Sequence, residues 1–351
     1  LPPSTSSVMT WSVPFSTRYN KGKILSILII FYMDNMIIIN VMIDTLNISI
    51  DRSGIDENID LIGEIGARIE IDPYNSNELK VEGKLGNLKV VVTGMEIRIY
   101  GSIAKYLKGD NLETLSLEEL KMAIEKLEKE LGIPVRKGRV TRVDMAGTFQ
   151  MKEKPLLYLK KLGWLEGFTR GTFSLDSLYY TRGREKVIQL CFYDKGKETG
   201  GKDLEVPPGN LLRYECRFFY KGIRWLFKRD LTVDEILDEK VFNVFISRWH
   251  GFYTSIFKLG TNYLDVDFNS LKSASDWGAL CLYQMNTQVD VLKALKDAFS
   301  CRKERRAGDV SLNNRLKTFT LKMLERGKRF TKPDDLIEEL NSLVESCYGE
   351  R

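Results

Sequence analysis

Tyr193 and Lys195 stand two residues apart at the end of an alternating stretch, residues 187–198. Along it Ile188, Leu190 and Phe192 point one way, and Gln189, Cys191 and Tyr193 the other. If the first set packs on a core, the Tyr193 phenol lies on the open side with an ammonium beside it. Such a phenol can attack a phosphate, because the cation stabilises both the phenolate and the charge gathering on phosphorus. The same residues also fit a half-buried strand tyrosine followed by a charged turn. Tyr179, Tyr180 and Tyr214 are the competing phenols nearby.

Three further stretches share this design, one face apolar and the other charged. Residues 88–100 carry Glu96 and Arg98, residues 139–149 carry Arg142 and Asp144, and residues 211–219 carry Arg213, Glu215 and Arg217. An antiparallel sheet backed by helices on one side would gather these groups on its exposed face. His250 is the single histidine, so chemistry that needs a histidine pair is excluded. Carboxylates without histidine suit a hard cation, Mg2+ or Mn2+. Asp144 and Glu215 are the expected ligands, with Glu96 a third. Such an ion would polarise a phosphodiester, while Arg142, Arg213, Arg217 and Arg98 grip phosphate oxygens. The arginines can equally pair with those carboxylates as a structural ladder on the sheet.

The elements that must position these residues can be read in order. Residues 43–50 alternate as a strand. Residues 68–71 and 79–82 are short strands, and residues 88–100 a hairpin turning near Thr93-Gly94. Ser116-Leu117-Glu118-Glu119 opens a helix with a capping box, and Gly132 and Pro134 close it. Residues 155–162 form a short helix, and residues 172–182 a strand pair leading into the Tyr193 stretch. A polar loop, 200–209, precedes the Arg213 strand. From a second capping box at Thr232 the pattern turns helical, with helices over 270–283, 287–299, 311–326 and 333–347. The fold expected is α+β: an antiparallel sheet with helices on one face, followed by a helical C-terminal region. The divisions fall at 1–41, read as a non-native leader before a start at Met42, then 42–260, then 261–351.

With 351 residues, 43% of them hydrophobic, the chain has apolar surface enough for one large or two modest cores. Its net charge of +5 permits an anionic partner without requiring one. The charge is concentrated: residues 301–330 hold ten Lys/Arg against three Asp/Glu, 10 − 3 = +7. Five scattered cysteines without a Cys-x-x-Cys read as reduced thiols rather than a disulfide framework or zinc site. The apolar run at 24–33 is too short to span a bilayer, so neither export nor a membrane partner is expected.

At this point the residues resemble the gene II replication endonucleases of filamentous phages and, more loosely, the tyrosine nickases of rolling-circle plasmids. The resemblance runs over about residues 42–230 in one order. Met42-Ile43-Asp44 is similar to the family's opening, and Glu96-Ile97-Arg98 with Leu107-Lys108-Gly109-Asp110-Asn111 to its next segment. Arg142-Val143-Asp144, then Tyr193-Asp194-Lys195-Gly196-Lys197-Glu198, then Leu212-Arg213-Tyr214-Glu215-Cys216-Arg217 resemble the rest. Asp194 departs by replacing an apolar residue, and the helical tail after 260 has no counterpart. The resemblance implies nicking of one strand at a circular phage or plasmid origin, with Tyr193 held on the 5′ phosphate and a 3′-OH freed to prime rolling-circle replication. It also implies Mg2+ dependence, a host helicase and polymerase as partners, and action in the bacterial cytoplasm. Two other readings compete: a non-catalytic DNA-binding repressor or maintenance protein on the same sheet, and an RNA-binding platform. The second would place aromatics on the open face, whereas Phe149, Phe192 and Phe218 fall on the apolar one.

Overall fold

The computed structural model describes residues 38–55, 60–171, 176–183, 185–199, 210–258, 270–286, 291–292, 294–295, 310–330 and 334–349. Most of the expected leader, the 200–209 loop, most of the 287–299 helix and Cys301 lie outside the described residues.

Among the described residues ten strands form one antiparallel sheet: β1 (Ile38–Asp51), β2 (Glu70–Ile71), β3 (Lys80–Leu85), β4 (Leu88–Thr93), β5 (Glu96–Tyr100), β6 (Arg139–Met151), β7 (Thr169–Gly171), β8 (Ser177–Arg182), β9 (Ile188–Asp194) and β10 (Asn210–Phe219). Their spatial order is β2-β3-β4-β5-β1-β6-β10-β9-β8-β7. The four charged stretches therefore do share a sheet, and three of them are direct neighbours: β6, β10 and β9. β1 begins at Ile38, earlier than the alternation from residue 43 suggests, with Ile38 opposite Phe149.

Helices cover the apolar face. In α8 (Glu239–Ser255) Phe245 meets Phe218 edge-on, and Trp249 stacks obliquely on Tyr214 and Phe149. These rings are buried at a spacing of four residues, the helical stripe that faces a core. α3 (Leu117–Leu131) starts where its capping box puts it. Ser116 Oγ accepts from the Glu119 N–H, and Glu119 accepts from the Ser116 N–H. Gly132, left-handed at φ 68°, ends it.

Two helices pack against each other, α9 (Ala274–Asn286) and α10 (Val310–Lys328), close to the ranges their patterning predicts. Arg326 of α10 binds Asp276 of α9. Phe257, just after α8, meets Tyr283 of α9 edge-on at 5.4 Å. The last helix, α11 (Asp335–Gly349), is another matter. Ile337, Leu340, Leu343 and Val344 join the same core as the sheet residues. Glu339 accepts from Tyr158 at 2.6 Å, and Asn341 from Tyr253 at 2.7 Å. The tail expected to be separate beyond residue 260 thus returns its final helix to the α+β body. Among the described residues no helix is long and apolar enough to cross a membrane.

The α9–α10 contact supplies one test. A Cβ on Gly327 would lie 2.2 Å from the Ala279 carbonyl oxygen and 2.7 Å from Tyr283 Cβ. Gly327→Ala should therefore prise α10 from α9 at a cost of about 1–3 kcal/mol. Hydrogen exchange should quicken in α9 and α10 and stay unchanged in β6 and β10.

Candidate active site

Register alone brings the key side chains together. Arg213 stands opposite Tyr193 on one side and Thr148 on the other; Glu215 stands opposite Cys191, and Arg217 opposite Asp144. With a two-residue side-chain period all of these project from one face. A break in register between Ile43 and Thr45 adds Asp44 of β1 to the group.

Glu215 is its centre. Its Oε1 accepts from the Tyr193 hydroxyl at 2.6 Å and from Arg213 Nε at 3.0 Å. Its Oε2 accepts two bonds from Arg217, at 3.0 Å from Nε and 2.7 Å from Nη2. Arg217 also donates to Gln189 at 3.3 Å and passes 3.8 Å from Asp144. Asp144 is held bidentately by Arg142, at 2.8 and 2.6 Å. Arg213 is fixed from four sides, by Glu215, by Thr148 and the Asn111 carbonyl at 3.1 Å each, and by Asp44 at 3.1 Å. Three carboxylates, Asp44, Asp144 and Glu215, thus face three guanidiniums, Arg142, Arg213 and Arg217.

The charged face was expected to be open, and over its centre it is not. Asp44, Asp144, Thr148, Gln189, Cys191, Lys195, Arg213 and Glu215 are all buried. Part of the cover is the segment after α2 (Ile103–Lys108). Gly109, left-handed at φ 94°, turns the chain, and Asn111 and Leu112 lay their carbonyls on Arg213 and Thr148. Leu115 closes the edge by pairing with Ile43. Burial and pairing are coupled here, because charges this deep persist only when opposed.

The electrostatics follow from position. Burial opposes ionisation of Glu215, but Arg217 and Arg213 outweigh it and hold the carboxyl down at about 2. Asp144 goes the other way: burial lifts it to about 6 against the pull of Arg142. Burial, reinforced by the Glu215 charge, pushes the Tyr193 phenol well above its ordinary value. Burial also lowers the Lys195 ammonium. A depressed carboxyl stabilises the fold above its unfolded value of 4.5, and that contribution is lost as pH falls toward 2. The proton taken up by Asp144, between about 6 and 3.8, acts in the opposite sense and overlaps the upper part of this window, so the Glu215 contribution is read as a difference between two proteins. The melting temperature should accordingly fall more steeply between pH 4.5 and 2.5 in the native chain than in Glu215→Gln, as read by thermal melts at stepped pH.

Lys195 is not quite where the alternation puts it. β9 ends at Asp194, and Lys195 opens the short helix α5 (Lys195–Thr199), donating to Glu198 at 2.5 Å. Its ammonium stands 6.0 Å from the centre of the Tyr193 ring. Glu96 and Arg98 are not brought in. They pair with each other, and Glu96 also accepts from Ser49. Glu96 lies opposite Asp51 on β1, whereas Asp144 lies opposite Thr45 on the far side of that strand. Six residues along a strand and two strands across amount to about 20 Å.

This separation bears on the metal expected from the sequence. Among the described residues no group of three His, Cys, Asp or Glu is arranged to hold a metal ion. Both Asp144 oxygens bind Arg142, and both Glu215 oxygens are occupied. A divalent ion needs carboxylate oxygens at about 2 Å and would have to displace Arg142 or Arg217. As arranged, the donor set does not fit Mg2+ or Mn2+, and the positive charge at the site is that of the guanidiniums.

Asp44, Thr148, Gln189 and Asn111 complete the site and drew no role from the sequence. Asp44 and Asn111 lay within segments of the resemblance, and Thr148 shares a strand face with Asp144. Gln189 carried no signal beyond alternation with Tyr193. The sequence model of a family described as replication-associated protein G2P, N-terminal, matches residues 42–224. No curated protein matches the chain.

Proposed function

Because the chain belongs to the replication-associated protein G2P N-terminal family and is a phage gene II-like replication initiator, we propose that it nicks one strand of a circular origin through Tyr193. The observation that carries this reading is the 2.6 Å hydrogen bond from the Tyr193 hydroxyl to Glu215. It sets a nucleophile and a proton acceptor in reach, the geometry required before any rate argument.

In the step proposed, Tyr193 Oη gives its proton to Glu215 and attacks phosphorus. The P–O3′ bond breaks, the departing 3′ oxygen takes up a proton, and the 5′ phosphate remains on tyrosine. The phosphotyrosine link keeps the energy of the broken bond, so a later 3′-OH can reverse it. Glu215 is a weak base while both arginines hold it. Arg213 is fully buried, whereas the Arg217 side chain is 24% exposed and so the one of the two that an incoming phosphodiester can reach. Transfer of Arg217 from Glu215 to the phosphate would raise the basicity of the carboxylate as substrate arrives. Arg142, 27% exposed at the same rim, would steady a neighbouring phosphate. Lys195, beneath the Tyr193 ring, adds positive potential for the phenolate. The resemblance supplies the setting: origin DNA in the host cytoplasm, then helicase and polymerase acting on the freed 3′ end.

A test is incubation of supercoiled origin plasmid with the native chain and with Arg217→Gln. Native protein should give relaxed circles with protein attached, and Arg217→Gln should lower that yield about 10²-fold or more at a temperature where both proteins remain folded. Supercoiled plasmid left intact by native protein contradicts the proposal. One observation favours the rival non-catalytic DNA-binding reading: every oxygen of Asp144 and Glu215 is already paired. That reading expects salt-sensitive binding unaffected by Tyr193→Phe and no nicked product.

A further inference from the structure

The family match ends at residue 224, and the proposed chemistry leaves α10 without a role. One side of that helix packs: Thr320, Leu324 and Gly327 are buried, and Leu316 and Met323 half-buried. The other side carries Arg315, Lys322 and Arg329, all exposed and spaced seven residues apart, Arg329 lying just past the last turn. At about 100° per residue, seven residues fall about 20° short of two turns, so these cations form one nearly straight row. At 1.5 Å per residue the row is about 21 Å long. Asn314 and Thr318 are exposed beside it, and Glu325 is the one acid among residues 310–330. Arg326 is committed to Asp276 and Lys317 to Glu166. These contacts, with the close approach of Gly327 to α9, fix which side of the helix faces outward.

We propose that the exposed face of α10 is a duplex-DNA docking surface, by which the protein holds double-stranded DNA while Tyr193 works on one strand. The inference rests on the replication reading above. Charge complementarity selects the occupant, because a row of cations at regular helical spacing suits a polyanion of fixed spacing. Shape favours the duplex: a helix 10–12 Å across fits a major groove about 12 Å wide. There the flanking cations reach phosphates, and Asn314 and Thr318, able to donate and accept, face base edges. A flexible single strand would place no premium on a straight row.

The experiment uses the full chain and a 30-base-pair duplex of arbitrary sequence, with binding followed by fluorescence anisotropy across a salt series. Each phosphate contact contributes about 0.9 to the slope of log K against log salt. The triple variant Arg315→Ala, Lys322→Ala, Arg329→Ala should therefore lower that slope by about 2.7. A second triple variant, Lys129→Ala, Lys154→Ala, Lys160→Ala, removes equal charge from exposed sites elsewhere and should change it by less than about 1. Cleavage of a single-stranded origin oligonucleotide should be equal in all three proteins, which also shows that each is folded. An unchanged slope in the α10 variant, an equal loss in the control variant, or a loss confined to single-stranded DNA would overturn the docking surface. Loss of slope with no cleavage by any of the proteins would sustain it and remove the nickase reading instead.

Discussion

Tyr193→Phe should abolish covalent attachment to DNA while leaving the protein folded. The substitution removes one hydroxyl, and Glu215 keeps the Arg213 and Arg217 bonds that satisfy its charge. Stability should fall by about 1 kcal/mol, the ordinary worth of a lost hydrogen bond. Activity should fall about 10⁴-fold or more, as when an enzyme loses its nucleophile. Two competing phenols are engaged elsewhere. Tyr180 donates to the Gly163 carbonyl and Tyr214 to that of Trp249, both buried on the apolar side. Tyr179 faces the charged side, opposite Cys191, so Tyr179→Phe is the matched control and should retain cleavage. Gel-shift of denatured protein–DNA adducts reads both outcomes.

Arg213→Met should be the most damaging single change to the fold among the site residues. Methionine replaces the stem of the side chain but none of its donors. Asp44 and Glu215 would then remain buried with one cation fewer, and Thr148 and the Asn111 carbonyl would each lose a donor. Removing one member of a buried charge network costs about 3–5 kcal/mol. Arg217→Met, at the half-exposed rim, should cost clearly less, since solvent can reach the groups it leaves. Urea unfolding of the two variants compares them directly. Equal losses would mean that Arg213 is no more a strut than its neighbour. The contrast also separates the roles of two arginines that alternation makes equivalent: one holds the site together, and the other is free to meet phosphate.

Much of this was legible because strands write their faces into the sequence. The period-two pattern of β6, β9 and β10 placed Asp144, Tyr193, Arg213, Glu215 and Arg217 on one side of a sheet. The order of short motifs then pointed to a family that the match over residues 42–224 bears out. Capping boxes at Ser116 and Thr232 fixed two helix starts to the residue. Alternation cannot say which strands are neighbours, and there the reading failed. Glu96 and Arg98 have the same pattern as Arg142 and Asp144, but β1 separates their strands and the register moves them far along it. Nor can it say what lies above a face. The turn at Gly109 and the carbonyls of Asn111 and Leu112 bury a site that looked exposed, because backbone acceptors leave no mark in residue type. Lys195 changed position because its strand gives way to a helix one residue earlier. The core role of α11 was hidden for a related reason: an amphipathic stripe shows that a helix packs, not against what.

In the nicking reaction proposed, the Tyr193 hydroxyl, poised on Glu215, is the group that takes the 5′ phosphate. The most direct test is mass spectrometry of the nuclease-trimmed adduct recovered after incubation with origin DNA. A single nucleotide-bearing peptide is expected, with the phosphate on Tyr193, and none from Tyr193→Phe. An adduct mapped to a different side chain, or nicked circles released with no protein attached, would contradict this role.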